Sequence, residues 1–306
     1  MPVSHEHPLA AFAPAKVNLT LRVLGRRSDG YHDIDSLVVF ADVGDHVSLV
    51  PGADLNLTVG GPSATAAGDP ADNLVLKAAR ALAAGVAGVT LGRFRLDKRL
   101  PVAAGLGGGS SDAAAALRLL ARANAIAADD PRLHEAAAAT GADVPVCLDP
   151  RPRVMRGFGE ILSEPLACPQ LAAILVNPRV ALATADVFAA LGLARGECRP
   201  VAGIEATGIS DRGEEFLRLL ETQANDLEPA AIAMQPIVAD ALAALRGTRG
   251  CRLARMSGSG ATCVGLFDHA SAADAAARQL RATHAGWWIQ ATTLGTGFPA
   301  PSDAGR

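Results

Sequence analysis

The sequence predicts an α+β protein in two parts, and three observations carry that expectation. Apolar and polar residues alternate in short runs between Val17 and Val59, the period of half-buried strands in an antiparallel sheet. Capped, alanine-rich segments follow from Asp72 onward, with the composition of helices. Beyond a turn at Arg156–Glu160 a second set of apolar strands and helices begins, so the 306 residues divide into two domains, 1–162 and 163–306.

Val17, Leu19, Leu21 and Val23 alternate with Asn18, Thr20 and Arg22 and read as one strand, with Lys16 at its start. A polar turn over Arg26–Gly30 leads into Tyr31 and His32. Leu37–Phe40, Val47–Val50 and Leu55–Val59 read as three further short strands separated by Gly, Asp and Pro turns. Asp72 and Asn73 cap a helix that runs to about Ala84, and Phe94 and Leu96 mark a strand ending at Asp97-Lys98-Arg99-Leu100-Pro101. Asp130-Pro131 opens another helix, which stops at Gly141-Ala142-Asp143-Val144-Pro145, placing Asp143 in a turn. In the second part, Leu171–Val176 is an apolar strand and Thr184 begins a short helix holding Phe188. Leu191–Arg212 is irregular. Glu214–Glu221, Ala230–Met234 and Pro236–Arg246 are helical. Arg252–Met256 and Ala261–Phe267 are strands flanking Ser257-Gly258-Ser259-Gly260, Ala270–Ala285 is a helix, and Trp287–Leu294 a last strand before a loose Gly/Pro-rich tail.

The most informative stretch is Pro101-Val102-Ala103-Ala104-Gly105-Leu106-Gly107-Gly108-Gly109-Ser110-Ser111-Asp112, followed by an alanine run. Its glycines let the backbone approach a ligand with no Cβ between them. Ser110, Ser111 and Asp112 offer N-cap side chains for the helix that follows. A glycine loop opening onto a helix N-terminus presents free N–H groups and the positive end of the helix dipole, which together bind anions, phosphate above all. No Gly-Lys-Ser/Thr follows, so the stretch is not a P-loop of the Walker type.

Composition narrows the function classes. Half of the residues are hydrophobic, enough for a substantial core, and only 4% are aromatic, so that core is aliphatic. A net charge of −3 carries no basic excess of the kind a general nucleic-acid binder shows. No apolar run is long enough to span a membrane. Met1–Leu9 lacks a signal-peptide pattern, and five scattered cysteines without a Cys-x-x-Cys pair read as reduced thiols, so a cytoplasmic protein is expected. His5, Glu6 and His7 are a conceivable metal cluster, but a solvated terminus is the simpler reading.

Pro14-Ala15-Lys16-Val17-Asn18-Leu19, the glycine loop, and Met256-Ser257-Gly258-Ser259-Gly260-Ala261-Thr262 together resemble the three signature motifs of the GHMP kinases. Arg26-Arg27-Ser28-Asp29-Gly30-Tyr31-His32, Asp97–Pro101, Gly141–Val146 and Gly157-Phe158-Gly159-Glu160 resemble the branch of that family acting on 4-diphosphocytidyl-2-C-methyl-D-erythritol. The motifs run from Pro14 to Thr262 and so cover most of the chain. Gly192–Ser210 carries none of them, and Phe188 is aligned only by its spacing after the Leu171 strand. The resemblance implies two α+β domains, the second ferredoxin-like, with the active site in the cleft between them. It also implies transfer of a phosphoryl group from ATP, with Mg²⁺, to the 2-hydroxyl of that cytidine diphosphate sugar alcohol in the non-mevalonate isoprenoid pathway, by a monomer or homodimer.

It implies roles as well. Lys16 and Asp143 are the catalytic pair, Lys16 neutralising the moving phosphoryl group and Asp143 taking the hydroxyl proton. Position alone makes Lys16 an exposed strand-end lysine and Asp143 a turn residue. Asn73, Lys98 and Pro101–Ser111 (Pro101, Val102, Ala103, Ala104, Gly105, Leu106, Gly107, Gly108, Gly109, Ser110, Ser111) hold ATP, although Asn73 also suits a helix cap and Lys98 the surface. Asn18, Tyr31, His32, Phe188, Ser257 and Gly258 bind the acceptor, Tyr31 and Phe188 on the faces of the cytosine. Asn18 as a solvent-facing residue, Tyr31 and Phe188 as core aromatics, and Ser257–Gly260 as a hairpin are the plainer alternatives. The metal ligands are left open. A nucleotide sensor without turnover has no need of both Lys16 and Asp143. A GHMP kinase for another alcohol gives Tyr31-His32 no work.

Overall fold

The computed structural model describes residues 8–204 and 208–295; the His5–His7 cluster and the tail beyond Gly295 lie outside the described residues. The sheet is organised on β3 (His32–Gly52), a strand of 21 residues. Antiparallel to it run β1 (Leu9–Asn18), β2 (Arg22–Arg26), β5 (Leu91–Asp97), β6 (Arg153–Gly157) and β11 (Trp288–Gly295). β4 (Asn56–Gly60) pairs parallel with β5, and β7 (Ile161–Leu162) pairs with β6. On the far side of β11 the order continues through β8 (Leu171–Asn177), β10 (Cys263–Phe267) and β9 (Cys251–Met256).

Two expectations about strands are corrected. Leu37–Phe40 and Val47–Val50 belong to one strand, because Gly44 and Asp45 do not turn the chain. A Cβ on Gly44 would lie 2.2 Å from the Ala13 carbonyl oxygen, so this glycine permits close approach of β1. Asp45 is fully buried and accepts hydrogen bonds from the Arg99 and Leu100 amides. Conversely, Val17–Val23 is two strands, broken at Leu19–Leu21. There the Ser36 hydroxyl donates to the Thr20 carbonyl and the Leu37 amide to the Thr20 hydroxyl, so side chains replace the lost ladder bonds.

Helices α1 (Leu74–Gly85), α2 (Gly108–Ala123), α3 (Pro131–Thr140) and α4 (Val144–Leu148) pack on the first half of the sheet. Asn73 and Asp130 cap α1 and α3 through their side chains, as their sequences predict. Ala113–Ala116 are fully buried, and their small side chains bring α2 close against β1 and β3. Helices α5 (Thr184–Ala189), α7 (Glu228–Met234), α8 (Ile237–Arg246) and α9 (Ala270–Thr283) form a second core on the other half, and α6 (Gly213–Glu221) joins a third core. That third cluster, with Leu19, Leu37, Leu106, Phe216 and Leu266, takes residues from both halves and joins them.

Candidate active site

A cavity of about 880 Å³ is lined by residues of both halves, within the size range of small-molecule sites. Its walls include Lys16, Asn18, Tyr31, His32, Asn73, Lys98, Asp143, Phe188 and Gly258. They also include Pro101, Val102, Ala103, Ala104, Gly105, Gly107, Gly108, Gly109 and Ser110. Three expected residues do not line it. Leu106 and Ser111 are buried, and Leu106 packs in the joining core. Ser257 is also buried and acts as a strut: its hydroxyl accepts from the Asn18 amide at 3.0 Å and donates to the Gly105 carbonyl at 2.9 Å. One side chain thereby holds all three signature stretches together.

Lys16 is buried rather than exposed, and its ammonium lies 2.8 Å from Asp143. Register explains the burial, because Lys16 sits beside an irregularity of β1 and faces Phe40 on β3. Asp143 holds the N-cap position of α4 but makes no capping bond, which frees its carboxylate for Lys16 and the cavity. Asn18 points inward and donates to the Ser36 hydroxyl at 2.7 Å.

Helix α2 begins earlier than its serines suggest. Gly107 is the N-cap in the left-handed conformation, φ 59°, so Ser110, Ser111 and Asp112 lie inside the helix rather than capping it. The first-turn amides of a helix have no intrahelical acceptor, and here they belong to Gly108, Gly109 and Ser110, all cavity residues. Beneath them the Lys98 ammonium lies 2.6 Å from both Asp45 and Asp112. All three are buried, and burial pushes the Asp112 carboxyl up to about 8, Lys98 opposing and Asp45 adding to the effect. Lys98 is therefore no surface lysine, and Asn73 caps α1 while also lining the cavity.

Aromatic rings line another part of the wall. Tyr31 is 59% exposed and leans on Phe158 at 5.0 Å between ring centres, so it is not a core aromatic. Phe188 stacks on His32 at 4.9 Å and 29°. Burial, then Arg26, lowers the His32 pKa, leaving a neutral imidazole at pH 7, and its Nε2 is buried without a partner.

Comparison with known proteins decides the family. The models described as GHMP kinases N terminal domain and GHMP kinases C terminal match residues 73–149 and 207–286. The 4-diphosphocytidyl-2-C-methyl-D-erythritol kinase of Methylorubrum extorquens is 56% identical over 94% of this chain and 99% of its own. That of Rhodopseudomonas palustris is 58% identical over 92% and 96%. The chain belongs to the 4-diphosphocytidyl-2-C-methyl-D-erythritol kinases, a branch of the GHMP kinase family. A crystal structure of a 4-(cytidine 5'-diphospho)-2C-methyl-D-erythritol kinase superposes with a TM-score of 0.76 at 33% identity, over 94% of this chain and 100% of that one. Homoserine kinase from Cytophaga hutchinsonii shares the fold at a TM-score of 0.68 and 18% identity.

The α+β GHMP architecture expected from the sequence is thus the observed one. Site residues that sequence reading missed are of two kinds. Phe158 and Asp112 stand inside the quoted motifs, and an aromatic beside two glycines or an acid beside two serines was a usable signal. Asp45 gave none, because it read as a turn, and Arg26, although it heads one of those motifs, read as one of two arginines in a polar loop.

Proposed function

We propose that this GHMP kinase phosphorylates the 2-hydroxyl of 4-diphosphocytidyl-2-C-methyl-D-erythritol with ATP, in the non-mevalonate route to isoprenoid precursors. One observation carries the reading: the Lys16–Asp143 pair, the helix-borne glycine loop and the aromatic wall share a single cavity. The names of the relatives support the same substrate.

Phosphoryl transfer is chiefly positioning and charge stabilisation. Asp143 accepts the proton of the 2-hydroxyl, whose oxygen attacks the γ-phosphorus of ATP. The bond from that phosphorus to the bridging oxygen breaks, and ADP leaves. Lys16, held by Asp143, orients the carboxylate and offsets the charge on the moving group. The free amides at the start of α2 fit the ATP phosphates, and a Cβ on Gly107 would crowd the Lys16 side chain at 3.1 Å.

Among the described residues no cluster of three or more His, Cys, Asp or Glu forms a metal cage. Mg²⁺ fits instead as an ion held mainly by nucleotide phosphates, with the unpartnered Oδ1 of the cavity-lining Asp112 as an oxygen donor at the same helix end once the metal displaces the carboxyl proton. When bound, it supplies neutralisation of phosphate charge. Tyr31 and Phe188 fit the faces of cytosine, and neutral His32 offers its ring nitrogen to the base edge. A division into domains 1–162 and 163–306 is supported by the two family models falling on either side of residue 162. A cytoplasmic location accords with the absence, among the described residues, of a helix long and apolar enough to cross a membrane.

A coupled ADP-release assay with a panel of alcohols tests the reading. 4-Diphosphocytidyl-2-C-methyl-D-erythritol should be turned over efficiently. 2-C-methyl-D-erythritol 4-phosphate, which lacks the nucleotide, should be a very poor substrate. Comparable turnover of the two would favour a kinase for a simpler alcohol.

A further inference from the structure

We propose that Arg26 is the cation that binds the diphosphate of the acceptor, an inference that rests on reading the cavity as a cytidine diphosphate site. Among the described residues three Lys or Arg side chains line the cavity: Lys16, Arg26 and Lys98. Lys16 is matched by Asp143, and Lys98 by Asp45 and Asp112. Among the described residues Arg26 has no carboxylate at ion-pair distance. The contrast with its neighbour is sharp, since Arg27 faces Asp29, Asp33 and Glu160.

Carbonyl groups hold Arg26 instead. Its Nη1 donates to the Leu193 carbonyl at 3.0 Å and its Nε to the Gly30 carbonyl at 3.4 Å. Neutral carbonyls orient a guanidinium but leave its charge unbalanced. A guanidinium carries five N–H donors in a rigid fork, and the remaining ones suit two oxygens of a phosphate. A half-buried cation in a concave wall gains most from an anion that completes its pairing.

The backbone around Arg26 is equally fixed. Its amide donates to the Glu197 carbonyl at 2.8 Å, and the Gly196 amide donates to the Arg26 carbonyl at 2.7 Å. Arg26 stands opposite His32 in the β2–β3 pairing, beside the aromatic wall. In the acceptor the diphosphate joins the cytidine to the alcohol. Its phosphates therefore lie between whatever grips the base and the Lys16–Asp143 pair. The two lysines are already neutralised, which leaves Arg26 for these phosphates.

Arg26 also ties the Leu193–Arg199 segment to β2, so a purely structural role must be separated. Calorimetric titration of wild type, Arg26→Gln and Arg26→Lys with CDP and with cytidine does so. Wild type should bind CDP more tightly than cytidine. Arg26→Gln should weaken CDP by about tenfold to a hundredfold, the usual range for a lost charge-assisted contact, and leave cytidine within about twofold. Arg26→Lys keeps the charge without the fork and should fall between, and it carries the comparison if the glutamine variant does not fold. Equal weakening of CDP and cytidine, or unchanged CDP affinity, would overturn the proposal. Failure of the underlying reading has a separate sign: wild type would then show no preference for cytidine and CDP over uridine and UDP, and both proposals would fall.

Discussion

Asp143 occupies an N-cap position without capping, and a carboxylate that declines its local hydrogen bond has another partner, here Lys16. Asp143→Asn should therefore lower kcat by at least about a hundredfold, the scale of a lost general base, while calorimetric affinity for an ATP analogue changes by less than about threefold. Retention of most turnover would return Asp143 to a turn residue. Asp112 makes a different prediction. One ammonium and two carboxylates share a buried site, and burial, with Asp45 alongside and Lys98 opposing, keeps a proton on Asp112, whose carboxyl titrates at about 8 against 3.8 for a free one. The folded state thus binds a proton that the unfolded chain releases, so this group costs stability progressively as pH rises from about 4 to about 8, by up to about 1.4 kcal/mol per pH unit. Asp112→Asn removes the titration. Urea unfolding of both proteins should show the stability difference shifting in favour of the variant between pH 5 and pH 8, and a constant difference would refute the buried-proton account.

At the scale of elements, the glycines of the loop differ in what they permit. A Cβ on Gly105, φ 74°, would lie 2.4 Å from the Ser257 carbonyl oxygen and 2.9 Å from the Gly260 nitrogen. Gly105→Ala should cost about 1–3 kcal/mol and lower the melting temperature by several degrees, because neither the backbone angle nor the neighbouring loop can yield cheaply. A Cβ on Gly109 would make only an ordinary 3.5 Å contact with Leu74, inside a helix, so Gly109→Ala should leave stability unchanged or raise it by up to about 1 kcal/mol. Calorimetric unfolding of the pair checks the contrast; equal losses would mean that the loop is uniformly tight. These details were illegible in the sequence, although the element itself was not. Capped helices at Asn73 and Asp130, the glycine loop and the β9–β10 hairpin all follow from local chemistry, which the chain carries within a few residues. Continuity of β3 through Gly44-Asp45 depends instead on what lies opposite, Ala13 for the glycine and the Arg99 and Leu100 amides for the aspartate. The Lys98 triad likewise joins residues 53 and 14 positions apart, a separation that periodicity does not report.

At the scale of the molecule, the cavity exists because the two halves are fastened on more than one side. Among the described residues β11 meets β3 at Leu294–Ala41 and Gly295–Phe40, and the joining core lies beneath. The segment Leu193–Ile204, which carries no family motif, crosses back to the first half after α5 and is tied there twice. Backbone bonds link Gly196, Glu197 and Arg199 to Arg26 and Leu24. Further along, the buried Asp35 accepts from the Ile204 amide and from Arg156, each at 2.8 Å. This strap begins just beyond Phe188, so its fastening fixes the end of the helix that presents the ring to His32. Gly25 is where strap and β2 come closest: a Cβ there would lie 2.5 Å from the Glu197 carbonyl oxygen and 3.1 Å from the Cys198 Cα. Both contacts are backbone and cannot rotate away, so Gly25→Val should lift the strap rather than be absorbed. The Gly196 and Arg199 amides, which donate to β2, should then exchange with deuterium at least about tenfold faster. KM for the cytidine substrate should rise by about tenfold, the scale of one weakened stacking contact, with the affinity for an ATP analogue little changed. Faster exchange without a change in KM would make the strap a structural fastening only; loss of ATP affinity in parallel would mean that the halves, and not the acceptor wall alone, had come apart.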